Sequence, residues 1–300
     1  MTYGVIDVGS NTIRLCIYDV EDGRIIPLFS TKNTAGLIDY INDGELSKKG
    51  IRKACAVLEG YKETGKKVGI DHLFVFATAS LRNISNNRRE AVKKIQETTG
   101  LTIDVLSGDE EARLDFQGAS FEKKMELGIM VDIGGGSTEI VSFEDGNIKD
   151  AVSLEIGSLY MYKNYVSGLF PDKGEKKAIQ RAVRLELKKA DFLKGQSYKK
   201  MIGIGGTIRG VKKLGEYRFE TEKEQAIRRN DLSKLIDECK DEERQLLKRI
   251  LRVSPDRIHT LIPGMLILDV ICRHFGCDEI EVSGFGVREG YLHKKVARNG

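Results

Sequence analysis

The chain has 300 residues, enough for two domains of ordinary size, each with its own core. Apolar residues make up 40% and charged residues 31%, which reads as a globular chain, and no apolar run approaches the roughly 18 residues that a membrane helix needs. The 49 basic and 45 acidic residues leave a formal charge of +4, too small an excess to indicate a nucleic-acid binder.

The first predicted elements are strands near 3–8, 12–20 and 25–31. The first of them ends in Asp7-Val8-Gly9-Ser10-Asn11-Thr12: an apolar strand, a carboxylate, then a turn of small residues. The carboxylate can hold a metal, and small residues let backbone N–H groups approach an anion. Ser47 is placed to cap a helix whose apolar positions are Ile51, Ala54, Leu58 and Tyr61. A strand near 72–77, a helix near 87–99, a strand near 102–106 and a helix from about 109 follow.

The same order then starts again. Strands are predicted near 127–133, 137–144 and 147–154, and even the hairpin turn repeats, as Glu21-Asp22-Gly23 and Glu144-Asp145-Gly146. The second copy of the glycine turn is Asp132-Ile133-Gly134-Gly135-Gly136-Ser137-Thr138-Glu139. Three consecutive glycines are costly in conformational entropy, and close approach of a phosphate to the backbone supplies a reason for them. Asp132 and Glu139 lie on the two arms of this hairpin, where they could share one Mg²⁺ directly or through water. Helices near 157–168 and 174–191, a strand near 199–204 and a helix near 207–215 come next. A charged helical stretch over 221–251, a helix at 264–275, a strand near 279–282 and a last helix at about 286–298 complete the chain.

Each half therefore reads as three strands followed by alternating helices and strands. The predicted fold is α/β: two duplicated ribonuclease-H-like domains of the actin-like ATPase superfamily type, βββαβαβα, with an interdomain cleft. The domains are placed at 1–125 and 126–300, with the last helix free to pack back on the first. The two glycine hairpins would then face each other across the cleft.

Three further motifs carry chemistry. Gly203-Ile204-Gly205-Gly206-Thr207 joins a strand to a helix, and amides at a helix start favour anions; a tight strand-to-helix turn would also need glycine. Ala77-Thr78-Ala79-Ser80-Leu81-Arg82-Asn83 follows an apolar strand, and Arg82 could pair with phosphoryl oxygens in a fork geometry or simply lie on the surface. Ser107-Gly108-Asp109-Glu110-Glu111-Ala112-Arg113-Leu114 opens a helix. Acidic residues in a first turn often only complement the helix dipole. Here Glu111 precedes the second glycine hairpin by about 20 residues, and the fold expectation brings both to one cleft.

The five cysteines, at 16, 55, 239, 272 and 277, are odd in number and show no CxxC spacing. They read as reduced core thiols. Zinc at Cys272, His274 and Cys277 lacks a second ligand pair of suitable spacing. No signal peptide is read before the first strand, and a cytoplasmic enzyme is expected.

Together and in this order, IDVGSNTIRL (6–15), ATASLRN (77–83), SGDEEARL (107–114), DIGGGSTE (132–139), GIGGT (203–207) and SGFGVREG (283–290) resemble the Ppx/GppA family of exopolyphosphatases and guanosine pentaphosphate phosphohydrolases. Arg257 with Pro263-Gly264 fits the family's late pattern, and the chain resembles its short, two-domain members. The resemblance implies that Glu111 is the general base that activates water. It implies that Asp132 and Glu139 hold Mg²⁺, or another hard divalent cation such as Mn²⁺, with Asp7 facing them. Ser10, Asn11, Arg82, Gly134, Gly135, Gly136, Ser137, Gly205, Gly206 and Thr207 would line the phosphate path.

One stretch departs from the family. Many members carry K-x-x-x-R-L where this chain reads Lys32-Asn33-Thr34-Ala35-Gly36-Leu37.

The expected reaction is hydrolysis of terminal phosphate from inorganic polyphosphate. The first alternative is hydrolysis of the 5′ γ-phosphate of guanosine pentaphosphate. A kinase of the same superfamily, or a non-catalytic polyphosphate or nucleotide sensor, are the rivals from other classes. Family analogy suggests a homodimer with neither nucleic acid nor membrane as partner.

Overall fold

The computed structural model describes residues 1–190, 195–220, 226–241 and 243–299. By contacts the chain forms two compact units. The first is Met1–Glu111 with Arg288–Gly300, and the second is Ala112–Val287. Both chain crossings thus fall at helix starts, within the first turn of the helix that carries Glu111 and at the start of the last helix.

The first unit opens with strands β1 (Thr2–Val8), β2 (Ile13–Glu21) and β3 (Arg24–Asn33), an antiparallel meander. A two-residue ribbon of β4 (Ile41–Asn42) and β5 (Glu45–Leu46) leads to helix α1 (Lys48–Val68). The Ser47 hydroxyl accepts from the Gly50 amide, as the sequence predicts for an N-cap. Strand β6 (His72–Ala77), the short helix α2 (Ala79–Arg82), helix α3 (Arg88–Thr99) and strand β7 (Ile103–Val105) follow. The sheet order is β3-β2-β1-β6-β7, with β6 and β7 parallel to β1.

Helix α4 (Gly108–Ser120) leads to the second meander of β8 (Leu127–Ile133), β9 (Thr138–Glu144) and β10 (Asn147–Leu154). Helices α5 (Ser158–Tyr165) and α6 (Lys173–Leu187), strand β11 (Lys200–Ile204) and helix α7 (Gly205–Phe219) continue the chain. Strand β12 (Ala226–Arg228) precedes helices α8 (Arg229–Asp241) and α9 (Glu243–Val253). Helix α10 (Leu261–Phe275), strand β13 (Glu279–Val282) and helix α11 (Val287–Asn299) end it. The second sheet has the order β10-β9-β8-β11-β13-β12. Its first five strands repeat the 3-2-1-4-5 arrangement of the first sheet, and β12 adds an antiparallel edge. This is the expected duplicated, actin-like α/β fold.

The hairpin turns repeat at the level of dihedral angles. Asp22 and Gly23 have φ of 49° and 76°, and Asp145 and Gly146 have 50° and 75°. Two consecutive residues at positive φ define the type I′ turn that matches strand twist.

Several readings change. The charged stretch 221–251 is not one helix: β12 pairs with β13 and is followed by two helices, while 221–225 and 242 lie outside the described residues. Helix α6 ends at Leu187, before the expected 191, a position also outside the described residues. Helix α10 starts at Leu261 rather than 264, because Pro263 sits in the first turn, where its missing N–H costs nothing.

Each sheet buries its two faces differently. In the first unit Ile13, Leu15 and Ile17 join α1 and α3 in one core. The opposite face of the same strand carries Arg14, Cys16 and Tyr18, and α11 lies against it: Tyr291 packs on Phe76 at 4.7 Å between ring centroids, and Tyr18 donates to Glu289. In the second unit Ile129, Val131 and Ile133 face α6, α7 and α10. Met130, Val141 and Phe143 face Ala112, Phe116 and Ala119 of α4.

Candidate active site

The two glycine hairpins are built alike. The Gly9 amide donates to the Thr12 carbonyl at 3.0 Å, and the Gly134 amide to the Ser137 carbonyl at 2.9 Å. What differs is the residue across from each aspartate. In the strand register Asp7 faces Arg14, whereas Asp132 faces Glu139. Directly opposed residues of an antiparallel pair share one face of the sheet, so the second hairpin sets two carboxylates side by side. The first sets a carboxylate beside a cation.

Around the first hairpin, the Asn11 and Ser10 carbonyls accept from the amides of Gly36 and Ile38 at 2.8 and 3.2 Å. The segment that departs from the family pattern therefore folds back on the turn. Ser10 is buried, and the Ser80 hydroxyl donates to the Val8 carbonyl, which seats α2 against the end of β1.

Helix α2 aims Arg82 at α4. Arg82 Nη1 lies 2.5 Å from Glu111 Oε2, and both side chains are largely buried. The neighbouring acids of α4 have other partners. Glu110 closes a capping box: Ser107 Oγ accepts from the Glu110 amide at 3.1 Å, and Glu110 Oε2 from the Ser107 amide at 3.1 Å. Glu110 Oε1 also lies 3.3 Å from Lys294 Nζ on α11. The Ser107 amide, then Lys294, hold the Glu110 carboxyl below its ordinary range. Glu111, 8% exposed, is the acid of this motif that is turned inward toward an arginine.

The second unit gathers the remaining predicted residues. Glu139 is 1% exposed, and its Oε1 accepts from Ser153 Oγ at 2.7 Å. The carbonyl of Gly134 accepts from the Ser158 amide, and that of Gly135 from the amides of Leu159 and Tyr160, all within 3.0 Å. The start of α5 thus pins the glycine turn. Gly205 has φ +83°, and a Cβ there would lie 2.0 Å from Asp132 Oδ1, so the aspartate packs on the first residue of α7. A Cβ on Gly206 would lie 1.9 Å from Arg257 Nη2. Thr207 Oγ1 is 3.4 Å from Ser158 Oγ and 3.5 Å from Arg257 Nη1. Asp132, the triple-glycine turn, the start of α7 and Arg257 therefore form one constellation. Helix amides, glycine backbone and a guanidinium favour anions.

Arg257, Ser158 and Ser153 were not assigned to the site from sequence. Arg257 carried a signal, its place in the family's late pattern; the two serines carried none. Their roles arise from packing between segments distant in the chain.

Asp132 and Glu139 offer the oxygen donors that a hard divalent cation takes. Among the described residues no group of three His, Cys, Asp or Glu side chains is placed to hold a metal. Mg²⁺ is commonly held by one or two carboxylates completed by water and substrate phosphates, so the pair fits such an ion. Asp7 belongs to the first unit and stands beside Arg14. Cys16, Cys55, Cys272 and Cys277 are free and buried, and burial pushes the Cys277 thiol up to about 12. The Cys239 side chain lies outside the described residues.

The duplicated α/β fold is of the actin-like type. The model of the Ppx/GppA phosphatase family matches residues 16–299, and the chain belongs to that family. Exopolyphosphatase 1 of Mycobacterium tuberculosis is 25% identical over 305 residues, covering 99% of this chain and 88% of its own. A PPX-GPPA enzyme of Aquifex aeolicus superposes with a TM-score of 0.77 at 26% identity, covering 98% of this chain and 99% of its own. An exopolyphosphatase structure from Cytophaga hutchinsonii superposes with a TM-score of 0.85, covering 99% and 98%; at 20% identity it speaks to the fold alone.

Proposed function

We propose that this phosphatase removes terminal phosphate from inorganic polyphosphate in a Mg²⁺-dependent reaction with Glu111 as general base. The observation that carries the reading is the inward-facing Glu111, held by Arg82 while its neighbour Glu110 is committed to the helix cap. A positioned base typically contributes about 10²–10⁴ in rate.

Asp132 and Glu139 are the residues that would hold the cation. The ion would supply charge neutralisation at the phosphoryl oxygens. Gly135, Gly136, Ser137, Gly205, Gly206 and Thr207 would present backbone amides and hydroxyl groups to the phosphate, with Gly134 closing the turn through its own amide. Arg82 orients the Glu111 carboxylate through their ion pair. Glu111 takes a proton from the attacking water. The products are orthophosphate and a chain one phosphate shorter. The relative named exopolyphosphatase supports polyphosphate as the substrate.

The test is a phosphate-release panel of polyphosphates of several lengths, guanosine pentaphosphate and ATP, each with Mg²⁺ and with EDTA. Polyphosphate is expected to give the highest kcat/KM, lost with EDTA. A higher kcat/KM on guanosine pentaphosphate would transfer the same chemistry to a nucleotide. Phosphoryl transfer from ATP to an acceptor, with little free phosphate, would replace hydrolysis by a kinase reaction. A homodimer in the cytoplasm is the expected setting.

A further inference from the structure

We propose that a cationic stripe along helix α7 of the second unit, formed by Arg257, Lys213 and Arg252, binds the polyphosphate chain behind its terminal phosphate. This deepens the polyphosphate reading and rests on it. Residues 206, 210, 213 and 217 recur at helical spacing and share one face of α7. At the N-terminal end Arg257 lies flat on that face. A Cβ on Gly206 would be 1.9 Å from its Nη2, and a Cβ on Gly210 would be 3.2 Å from its Cδ. At the C-terminal end Arg252, from α9, stacks over the Tyr217 ring at 5.4 Å from its centroid. Lys213 is exposed between them. From Gly206 to Tyr217 the helix rises about 16 Å, the length of several bridged phosphates.

Several acidic side chains nearby are already taken. Glu216 lies 3.2 Å from Lys212, and Glu238 lies 2.5 Å from both Arg218 and Arg249. Asp256 lies 3.8 Å from Arg257 Nε. Neither Lys213 nor Arg252 has a carboxylate partner among the described residues. The Tyr217 face holds the Arg252 guanidinium in place without neutralising it. The stripe begins where Arg257 meets the start of α7, so a chain whose terminal group occupied the glycine constellation could continue along it. Three spaced cations suit a flexible polyanion with one charge per phosphate and give little to a short one.

The test compares the full-length wild type with the double variant Lys213→Glu/Arg252→Glu, and with the milder Lys213→Ala/Arg252→Ala should the first not fold. Direct binding of long-chain polyphosphate and of tripolyphosphate is measured in EDTA at low and high salt. Phosphate release from both is measured with Mg²⁺. The expected result is a loss of long-chain affinity on the order of tenfold at low salt, shrinking at high salt. The KM for long chains rises in parallel, with kcat and all tripolyphosphate constants within about twofold. Equal long-chain binding by wild type and variant overturns the stripe, as does an equal loss for both ligands. A wild type that binds long polyphosphate through these residues but releases no phosphate keeps the stripe and refutes the hydrolytic reading.

Discussion

At the scale of single residues, the two copies of one hairpin differ in charge at one cross-strand position. Arg14 stands across from Asp7, and Glu139 across from Asp132. Two adjacent carboxylates repel unless a cation or proton lies between them, whereas a carboxylate beside arginine is already balanced. This difference is the reason the proposed cation is assigned to the second hairpin. Asp132→Asn and Glu139→Gln are each expected to raise the Mg²⁺ concentration for half-maximal activity by about tenfold or more. Asp7→Asn should act mainly on kcat; the check is a Mg²⁺ titration of initial rates for all three. The carboxylates, glycines and Arg82 could be named from sequence because each sits in a short motif. The contacts of Arg257 with Gly206 and of Ser158 with the glycine turn could not, since they join residues about 50 and 24 positions apart through tertiary packing alone.

At the scale of elements, helix α11 belongs to the first sheet. Lys295 Nζ lies 2.6 Å from Asp104, and Tyr291 donates to Asp104 at 2.8 Å. Burial works to raise the Asp104 carboxyl, but hydrogen bonds from Lys295 and Tyr291 outweigh it and hold the group below its ordinary 3.8. A carboxylate lowered on folding stabilises fully above its unfolded value, and loses that contribution as pH falls toward its folded value. Thermal stability should therefore fall from about pH 4.5 downward. Asp104→Asn should lower Tm at neutral pH and flatten this acid limb; scanning calorimetry from pH 3 to 7 on both proteins checks it.

The strands and type I′ turns of both meanders were legible because alternation and Asp-Gly pairs are local signals. Strand β12 was not: three residues among charged neighbours carry no period, and pairing with β13 makes them a strand. Helix α7 runs from Gly205 to Phe219, beyond the expected 207–215, because its glycines read as a turn while tertiary contacts with α9 and α10 keep them helical.

At the scale of the whole chain, one topology occurs twice, and the proposed roles fall on residues of both copies. The first unit supplies the proposed base and its arginine. The second supplies the carboxylate pair, the triple-glycine turn and the start of α7. The duplication was visible in the sequence as two matching orders of strands and turns. The family match over residues 16–299 joins both copies in one phosphatase. No helix among the described residues is long and apolar enough to cross a membrane.

The most direct measurement is steady-state phosphate release from polyphosphate by Glu111→Gln, with polyphosphate binding measured alongside. Loss of kcat by about 10²–10⁴, with affinity within about threefold of wild type, is the predicted result. Undiminished turnover in that variant would remove Glu111 as the base and contradict the proposed mechanism.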